Sequence, residues 1–394
     1  MEPEPKISFE DTAIAFSYKS NAELRKANFI FSTVNHPWIS AAATGMVKFA
    51  LNLRLPIEGI IKKTVFDHFC GGVSIEKSDA AINKLGAFGV GTILDYSVEG
   101  EESEEDFDKT LAELLRTIDK AKTSKHIPFS VFKVTGLAST ALLEKVQRGD
   151  KLSDEEQTAY TRVKARVDAI CRKAYEHKVP VLVDAEETWI QEPIDAMADE
   201  MMARYNKEKA IVFNTYQLYR TETLANLRHA HKKALDNNYF LGAKLVRGAY
   251  MEKERARAES QGYPSPIQPD KEATDKAFND GLLFCIQHID RVSLMCGSHN
   301  EQSNHLLVRL MAENGIKADD PRVWFAQLYG MSDNISFNLA KAGYRVAKYV
   351  PYGPVRAVMP YLFRRAAENT SVAGQSSREL LLIRKELRRR RASR

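Results

Sequence analysis

From Gly86 onward, short apolar runs alternate with long segments of helical periodicity, and this alternation restricts the fold more than any other feature of the chain. Short β-branched runs predict buried strands, whereas apolar residues recurring every three or four positions predict amphipathic helices. The predicted strands are Gly91–Tyr96, Phe129–Thr135, Pro180–Asp184, Ala210–Asn214, Ala243–Val246, Ser293–Cys296, Val323–Gln327 and Arg345–Tyr349. The predicted helices that follow them are Glu105–Lys122, Asp154–His177, Glu192–Asn206, Glu222–Asp236, Lys271–Ile289, Gln302–Glu313, Asn334–Lys341 and Val355–Glu368.

Eight strand–helix units of this kind predict an α/β fold with parallel strands, because parallel neighbours need a long crossover connection. The strands are apolar on both faces, as expected where helices cover a parallel sheet. Eight units favour a closed (β/α)8 TIM-like barrel, although the pattern alone leaves an open doubly wound sheet as the alternative. We expect an N-terminal helical arm over residues 1–85, the barrel over 86–370 and a basic C-terminal helix or tail over 371–394.

The composition is that of a globular protein with a large core, with 44% hydrophobic and 28% charged residues. The net charge of +5 is mild and lies mostly within residues 384–391, so we expect no general attraction to nucleic acid. The acidic start resembles neither a signal peptide nor a transit peptide, and Pro37 interrupts the longest uncharged stretch. These features predict a cytoplasmic protein whose four cysteines are buried and reduced: Cys70, Cys171, Cys285 and Cys296.

Polar side chains stand at the ends of most predicted strands, which is where α/β-barrel enzymes place their chemistry. Lys133 lies in apolar surroundings and therefore needs an opposite charge, for which Asp184 on the next strand is the expected partner. Structural roles are the alternative: Asp184 would then cap the following helix, and His299 would have no part in catalysis. The other strand-end candidates are Asn214, Lys244, Arg247, Ser298, Gln327 and Tyr349.

The last predicted barrel helix carries a concentrated group of polar residues. Tyr361, Arg365 and Glu368 are spaced i, i+4 and i+7 and share one face, with Arg364 beside them. Two guanidinium groups and a tyrosine suit a carboxylate ligand, because guanidinium donors match carboxylate oxygens in pairs. The alternative is a solvated basic face with an Arg364–Glu368 pair.

Several common motifs are absent from the sequence. It contains no GxGxxG opening a strand–helix unit, no Walker loop, no HExxH or other metal-ligand cluster, and no GxSxG elbow. The residue pattern by itself therefore indicates a barrel enzyme that acts on a small carboxylate and holds no metal.

Four segments resemble the monofunctional, FAD-dependent proline dehydrogenase family. They are Leu-Val-Asp-Ala-Glu-Glu at 182–187, Lys-Leu-Val-Arg-Gly-Ala-Tyr at 244–250, Phe-Ala-Gln-Leu-Tyr-Gly-Met at 325–331 and Tyr-Leu-Phe-Arg-Arg-Ala-Ala-Glu-Asn at 361–369. The match keeps its order from about residue 129 to residue 369. The resemblance implies a distorted barrel with FAD across the strand ends, which would account for the missing GxGxxG motif.

The resemblance also implies roles for individual residues. Lys133, Arg364 and Arg365 would bind the proline carboxylate, Tyr349 and Tyr361 would pack on the ring, and Glu368 would orient the arginines. Asp184, beside the substrate lysine, and Lys244, near the flavin N5 edge, would be the catalytic residues. The flavin would be bound by Ala185, Asn214, Arg247, Gly248, Ala249, Tyr250, Ser298, His299 and Gln327.

The implied reaction is the first step of proline catabolism to glutamate. Hydride would pass from C5 of L-proline to flavin N5, giving Δ1-pyrroline-5-carboxylate, and the electrons would pass to a membrane quinone. The bulky Tyr349 favours proline over 4-hydroxyproline, the substrate of a related enzyme. A non-flavin barrel lyase and a non-catalytic scaffold protein are the competing interpretations of the same residues.

Two further partners follow from the resemblance and from the C-terminal tail. A pyrroline-5-carboxylate dehydrogenase would consume the product. Residues 379–394 mix several leucines and an isoleucine with many arginines, which suits an amphipathic helix at the inner face of the cytoplasmic membrane. The alternative is a disordered, solvated tail.

Overall fold

The computed structural model describes residues 7–34, 45, 58–97, 102–371 and 375–392, with the side chains of 60, 364–371, 375 and 376 excepted. Its eight strands form a closed barrel in chain order, and the recorded neighbouring pairs are parallel. The predicted (β/α)8 barrel is therefore confirmed. The strands are β1 Val90–Tyr96, β2 Phe129–Phe132, β3 Val181–Val183, β4 Val212–Gln217, β5 Leu241–Val246, β6 Val292–Gly297, β7 Val323–Leu328 and β8 Val346–Tyr352.

Helices precede the barrel and connect its strands. Those before β1 are α1 Thr12–Ala15, α2 Asn21–Val34, α3 Glu58–Ile61, α4 Asp67–Phe69 and α5 Asp79–Gly86. Those between β1 and β5 are α6 Glu104–Thr123, α7 Thr140–Arg148, α8 Asp154–His177, α9 Thr188–Tyr205 and α10 Thr223–Asp236. The remainder are α11 Met251–Gln261, α12 Lys271–Gln287, α13 Glu301–Glu313, α14 Asp333–Lys341, α15 Val355–Ser371 and α16 Gln375–Ala392.

The predicted elements are present, with shifted bounds and two additions. Strand β8 continues through Pro351 to Tyr352, because it pairs along its whole length with β1. Helix α7 was not predicted, although Ser139 caps its start and Gly149 ends it in the left-handed conformation. Helix α11 was not predicted either, because its largely polar sequence carries no apolar periodicity. Within the helical arm predicted over residues 1–85, residues 1–6, 35–44 and 46–57 lie outside the described residues.

By its internal contacts the chain divides into two units, and the division falls within β7. The first unit contains β2 to β6 and helices α6 to α13. Parallel pairing in this unit places the ends of β3, β4 and β5 side by side, through Val183 with Asn214 and Thr215 with Lys244. Residues that follow these strands therefore meet at one edge of the sheet.

The second unit contains the N-terminal helices, β1, β8 and helices α14 to α16. An apolar cluster at its centre combines residues from α2, α15 and α16, among them Leu24, Phe31, Val358, Leu382 and Ile383. The C-terminal segment is thus a packed helix, and the alternative of a disordered tail was wrong. Because Leu380, Leu382 and Ile383 are buried against the same unit, they are not an apolar face open to a membrane. Within the described part of the chain, no helix combines the length and apolar character needed to span a bilayer.

Candidate active site

Two lysines share one carboxylate at the strand ends of the first unit. Lys133 follows β2, Asp184 follows β3, and Lys244 lies in β5. The Lys244 Nζ is 2.5 Å from Asp184 Oδ1, and the Lys133 Nζ is 3.5 Å from Asp184 Oδ2. The predicted pairing of Lys133 with Asp184 is therefore confirmed, whereas Lys244 as a second partner of the same carboxylate was not foreseen.

This triad of Lys133, Asp184 and Lys244 carries a net positive charge. Burial raises the pKa of Asp184, but Lys244 and Lys133 outweigh that effect and hold the pKa below its usual value. The carboxylate is therefore ionised between two ammonium groups. The Lys133 side chain is 19% exposed and that of Lys244 only 5%, so Lys133 is the more accessible cation. An anionic ligand is the natural complement to such a group.

The loop that carries Asp184 is fixed by hydrogen bonds from three directions. The Asp184 backbone N–H donates to the carbonyl of Phe132 at 2.9 Å. The Glu186 backbone N–H donates to Gln191 Oε1, and its carbonyl accepts from Gln217 Nε2, each at 2.7 Å. Asp184 therefore has a defined position before any ligand arrives. Gln217 is buried and used structurally.

Helix α11 secures the other end of this loop. The buried Glu254 accepts hydrogen bonds from the backbone N–H of Thr188 at 2.7 Å and from its hydroxyl at 2.6 Å. It thereby caps α9, for which Glu187 at the N-cap supplies no side-chain bond. Sequence reasoning missed this contribution because it missed the helix.

Arg247 is the centre of a second polar cluster in the same unit. Its terminal nitrogens donate to the hydroxyls of Ser298 and Ser303 at 2.9 Å, and its Nε donates to Asp275 at 2.7 Å. The guanidinium carbon lies 4.4 Å from the ring centroid of Phe278. The structure thus brings together Arg247 and Ser298, both predicted flavin residues. The sequence pattern did not point to Asp275, Ser303 and Phe278, because all three lie on helices and not at strand ends.

Asn214 has a structural role in this protein. It is 1% exposed, its Nδ2 donates to Asp195 at 2.8 Å, and its Oδ1 accepts from the Thr215 backbone at 2.9 Å. Burial raises the pKa of Asp195, with hydrogen bonds from Asn214 and Gln191 opposing it. The predicted role of Asn214 in lining a flavin stays a prediction.

The other predicted flavin residues of this unit have accessible surface. Gly248 is exposed, and Ala185, Ala249, Tyr250 and His299 are partly exposed. Gly248 has a φ of 139°, a conformation that side-chain-bearing residues rarely adopt. The backbone at Gly248 is therefore accessible, next along the chain to the cationic side chain of Arg247.

The remaining predicted residues belong to the second unit. Tyr349 lies in β8 at 8% exposure, and its carbonyl accepts from the Tyr329 N–H at 2.8 Å. Tyr361 is buried in the apolar cluster, and Gln327 accepts a 2.7 Å hydrogen bond from Ser336. Helix α15 is continuous across positions 361–368. The side chains of Arg364, Arg365 and Glu368 lie outside the described residues, so the shared face of these residues with Tyr361 stays a prediction.

A closed parallel barrel with an acid–base cluster at its strand ends defines the class of α/β-barrel enzymes. Residues 78–378 match the model of the family described as proline dehydrogenase. Because that match covers more than half of the chain, the chain belongs to the proline dehydrogenase family. It is an oxidoreductase that acts on proline, in proline catabolism.

Similar proteins come from diverse organisms. The chain is 32% identical to "Proline dehydrogenase 1, mitochondrial" of Dictyostelium discoideum, over 96% of this chain and 74% of that protein. It is 33% identical to "Carbapenem antibiotics biosynthesis protein CarD" of Pectobacterium carotovorum, over 84% of this chain and 86% of the other. Proline utilization A from Bdellovibrio bacteriovorus, solved after inactivation by N-propargylglycine, has a TM-score of 0.72 at 19% identity. That likeness covers 93% of this chain but 38% of the solved one, and it supports the fold.

Proposed function

We propose that this protein catalyses the FAD-dependent oxidation of L-proline to Δ1-pyrroline-5-carboxylate and passes the electrons to a membrane quinone. The observation that carries the proposal is the pair of lysines around Asp184 at the strand ends, in a chain that belongs to this family. A cation held in place by a fixed carboxylate is suited to bind the carboxylate of a small amino acid.

Substrate binding is assigned first to Lys133, the more accessible of the two lysines. We assign Arg364 and Arg365 on α15 to the same carboxylate and Glu368 to orienting the arginines. Tyr349 and Tyr361 pack on the pyrrolidine ring. Asp184 orients Lys133 through the ion pair, and it remains a carboxylate because its own pKa is held low.

The protein's share of the chemistry is position and charge. The proline nitrogen must be uncharged when C5 loses hydride, because its lone pair assists that loss. Nearby cations such as Lys133 lower the pKa of the bound amine and favour that form. When bound, FAD supplies the hydride acceptor. Alignment of C5 by the carboxylate contacts is the main contribution of the chain itself.

The residues present fit such a cofactor. Arg247 offers a guanidinium already oriented by Ser298, Ser303 and Asp275, which suits phosphate or flavin oxygens. Lys244 supplies a second cation, and the exposed backbone near Gly248 allows close approach. We assign the remaining contacts to Ala185, Asn214, Ala249, Tyr250, Ser298, His299 and Gln327.

Tyr349 supports proline over 4-hydroxyproline as the substrate. Tyr349 is 8% exposed in β8, and the bulk of its ring against the substrate would leave little space for a 4-hydroxyl group. Tyr349→Ser should raise turnover of 4-hydroxyproline relative to proline. An unchanged ratio of kcat/KM would remove this argument.

An anaerobic titration tests the proposal. Purified protein should be yellow, and proline should bleach the flavin bands. A colourless preparation with no tightly held nucleotide refutes the proposal.

Arg365→Met tests the carboxylate contact. It should lose about 2–4 kcal/mol of transition-state binding, or about 30-fold to 1000-fold in kcat/KM, mostly through KM. Arg356→Met is the matched control on the same helix, because Arg356 pairs with Glu58. Equal kinetics in the two variants would reject the carboxylate assignment.

We also propose a peripheral, electrostatic contact with the inner face of the cytoplasmic membrane, where a quinone is available. The buried leucines of α16 leave its exposed arginines, such as Arg388 and Arg391, for anionic headgroups. Vesicles with anionic lipid should sediment the protein at low salt, and the variant Arg388→Gln with Arg391→Gln less so. Equal sedimentation of both would refute this contact.

Two further expectations belong to the proposal. The chain is divided into an arm over residues 1–85, a barrel domain over 86–370 and a tail over 371–394, and a pyrroline-5-carboxylate dehydrogenase consumes the product.

A further inference from the structure

We infer that Glu186 is a positioning residue for Lys133 and that it takes up a proton when the carboxylate of the substrate binds to Lys133. The inference rests on the proposed function, because it takes Lys133 as the site of the substrate carboxylate. It adds a proton-linked step to substrate binding.

Glu186 holds the turn that begins at Lys133. Its side chain is buried, and both carboxylate oxygens accept hydrogen bonds from Thr135, one from the backbone N–H at 3.0 Å and one from the hydroxyl. Thr135 is the middle residue of the 3-10 turn Val134–Gly136, which directly follows Lys133. The Glu186 carboxylate thus fixes the backbone from which the Lys133 side chain extends.

The backbone of Glu186 is fixed and its side chain is shielded from solvent. The backbone N–H is held by Gln191 and the carbonyl by Gln217, which anchors the residue to α9 and β4. The residue is 3% exposed, and its carboxylate accepts from Thr135. A change in the charge of Glu186 therefore acts on Thr135 and on the nearby Lys133 rather than on water.

Within the described part of the chain, the charged groups that act on Glu186 come from identifiable elements. Lys133, which follows β2, lowers the pKa of Glu186 and Glu187 raises it, and Asp184 and Glu187 belong to the same loop as Glu186. Lys244 on β5 is engaged with Asp184, and Lys253 on α11 is engaged with Glu187. Helix α9 contributes the uncharged amide of Gln191.

The combined effect of these groups places the pKa of Glu186 close to neutral pH. Burial raises its pKa most, Thr135 and Lys133 lower it, and Glu187 raises it, so that the pKa is about 7. The positive charge of Lys133 thus favours the ionised form of Glu186 as long as it is not offset.

A bound substrate carboxylate offsets that charge. With Lys133 engaged by an anion, the pKa of Glu186 rises and a proton is taken up from solution. A rise of about one pKa unit corresponds to uptake of about 0.4 proton at pH 7 and to a loss of affinity approaching tenfold between pH 6 and pH 9. The sign is fixed: binding weakens as pH rises through the pKa of Glu186.

Calorimetric titration of the flavin-containing protein as purified would measure this uptake. The ligand is tetrahydrofuran-2-carboxylate, which has the ring size and carboxylate of proline. Its ring oxygen does not titrate in this pH range, and its C–H bonds do not readily lose hydride. Titrations at pH 7 in buffers of different ionisation enthalpy give the number of protons taken up, and a series from pH 6 to pH 9 gives the dependence of Kd.

Glu186→Gln is the decisive variant. Its amide can still accept from Thr135 but cannot titrate, so uptake should vanish and Kd should become nearly independent of pH, close to the low-pH value of the unmodified protein. Glu187→Gln removes the neighbouring carboxylate and should keep the uptake. Thr135→Val removes one hydrogen bond that stabilises ionised Glu186, and it should move the pH midpoint upward. This last variant provides a test should Glu186→Gln fail to fold.

Absence of uptake in the unmodified protein, or the same uptake in Glu186→Gln, overturns the inference. The proposed function is judged separately, by whether proline bleaches the flavin. Bleaching without proton uptake refutes the role of Glu186 alone, whereas absence of both bleaching and ligand binding refutes the function and this inference with it.

Discussion

Asp333→Asn tests the charge balance at the centre of the second unit. Asp333 opens α14 and is fully buried. It lies 2.8 Å from the Nζ of Lys348 and 2.7 Å from that of Lys19, and it accepts a 2.8 Å hydrogen bond from the hydroxyl of Tyr18. The substitution keeps the size of the side chain but removes the charge that two lysines face.

The expected loss is large because Lys348 cannot reach water. Its side chain is 0% exposed, and its other recorded contacts are the carbonyls of Met331 at 2.6 Å and Leu328 at 3.3 Å. Removing one member of a buried ion pair typically costs about 3–5 kcal/mol. Lys348→Met in the same background removes the stranded charge, and the pair should show a coupling free energy of about 1–3 kcal/mol.

Urea unfolding followed by circular dichroism at pH 7 gives both quantities. Asp280→Asn is the control, since Asp280 forms an exposed pair with Lys276 on α12, and it should change the free energy of unfolding by less than about 0.5 kcal/mol. A loss below about 1 kcal/mol for Asp333→Asn would refute the reasoning.

The dependence of stability on acid pH tests the role of Asp333 a second time. Burial opposes ionisation of Asp333, but Lys19 and Lys348 hold its pKa well below the usual value. Its contribution to stability is therefore complete above about pH 4, the unfolded value, and is lost as pH falls below it. The variant should lack this part of the acid dependence.

Three other outcomes are expected. Gly330→Ala should lower the free energy of unfolding in urea by about 2–3 kcal/mol, because Gly330 has a φ of 80° and a Cβ there would overlap the carbonyl of His68. Gly315→Ala is the control: its φ is 64° but the space around it is open, so the loss should be about 1 kcal/mol, and equal losses would contradict the steric argument. Ser153→Ala should cost about 1 kcal/mol by breaking the capping box of α8, whereas Ser260→Ala on a helix surface should change little. A thiol reagent should modify the folded protein slowly and all four thiols rapidly in denaturant, because the cysteines are buried and burial raises the pKa of each thiol, that of Cys296 to about 12. Rapid labelling of the folded protein would contradict the burial of these thiols.

The barrel was predictable because each strand signals its burial locally, through an apolar run between polar helices. The pairing of Lys133 with Asp184 was predictable for a related reason, since the ends of successive parallel strands adjoin. Both predictions needed only the order of elements along the chain.

Other features depend on contacts that the chain order does not specify. The sharing of Asp184 by Lys244 depends on side-chain directions across two strands. Glu186 is one of two adjacent glutamates, and only the position of Thr135 distinguishes it from Glu187. The apolar residues of α16 have a spacing that would serve a bilayer or a protein core equally, and their packing against α2 decides between them.

The association of α16 with the N-terminal helices has a consequence for biosynthesis. Arg390 donates to the carbonyls of Phe16 and Lys19, each at 2.8 Å, so α16, which is synthesised after the barrel, completes the packing of helices that are synthesised before it. Until α16 emerges, the apolar faces of α1 and α2 lack a large part of their cover. Nascent chains stalled before residue 375 should therefore bind chaperones that recognise exposed apolar segments, and an affinity tag fused directly after α16 should be tolerated better than one that replaces its last turn.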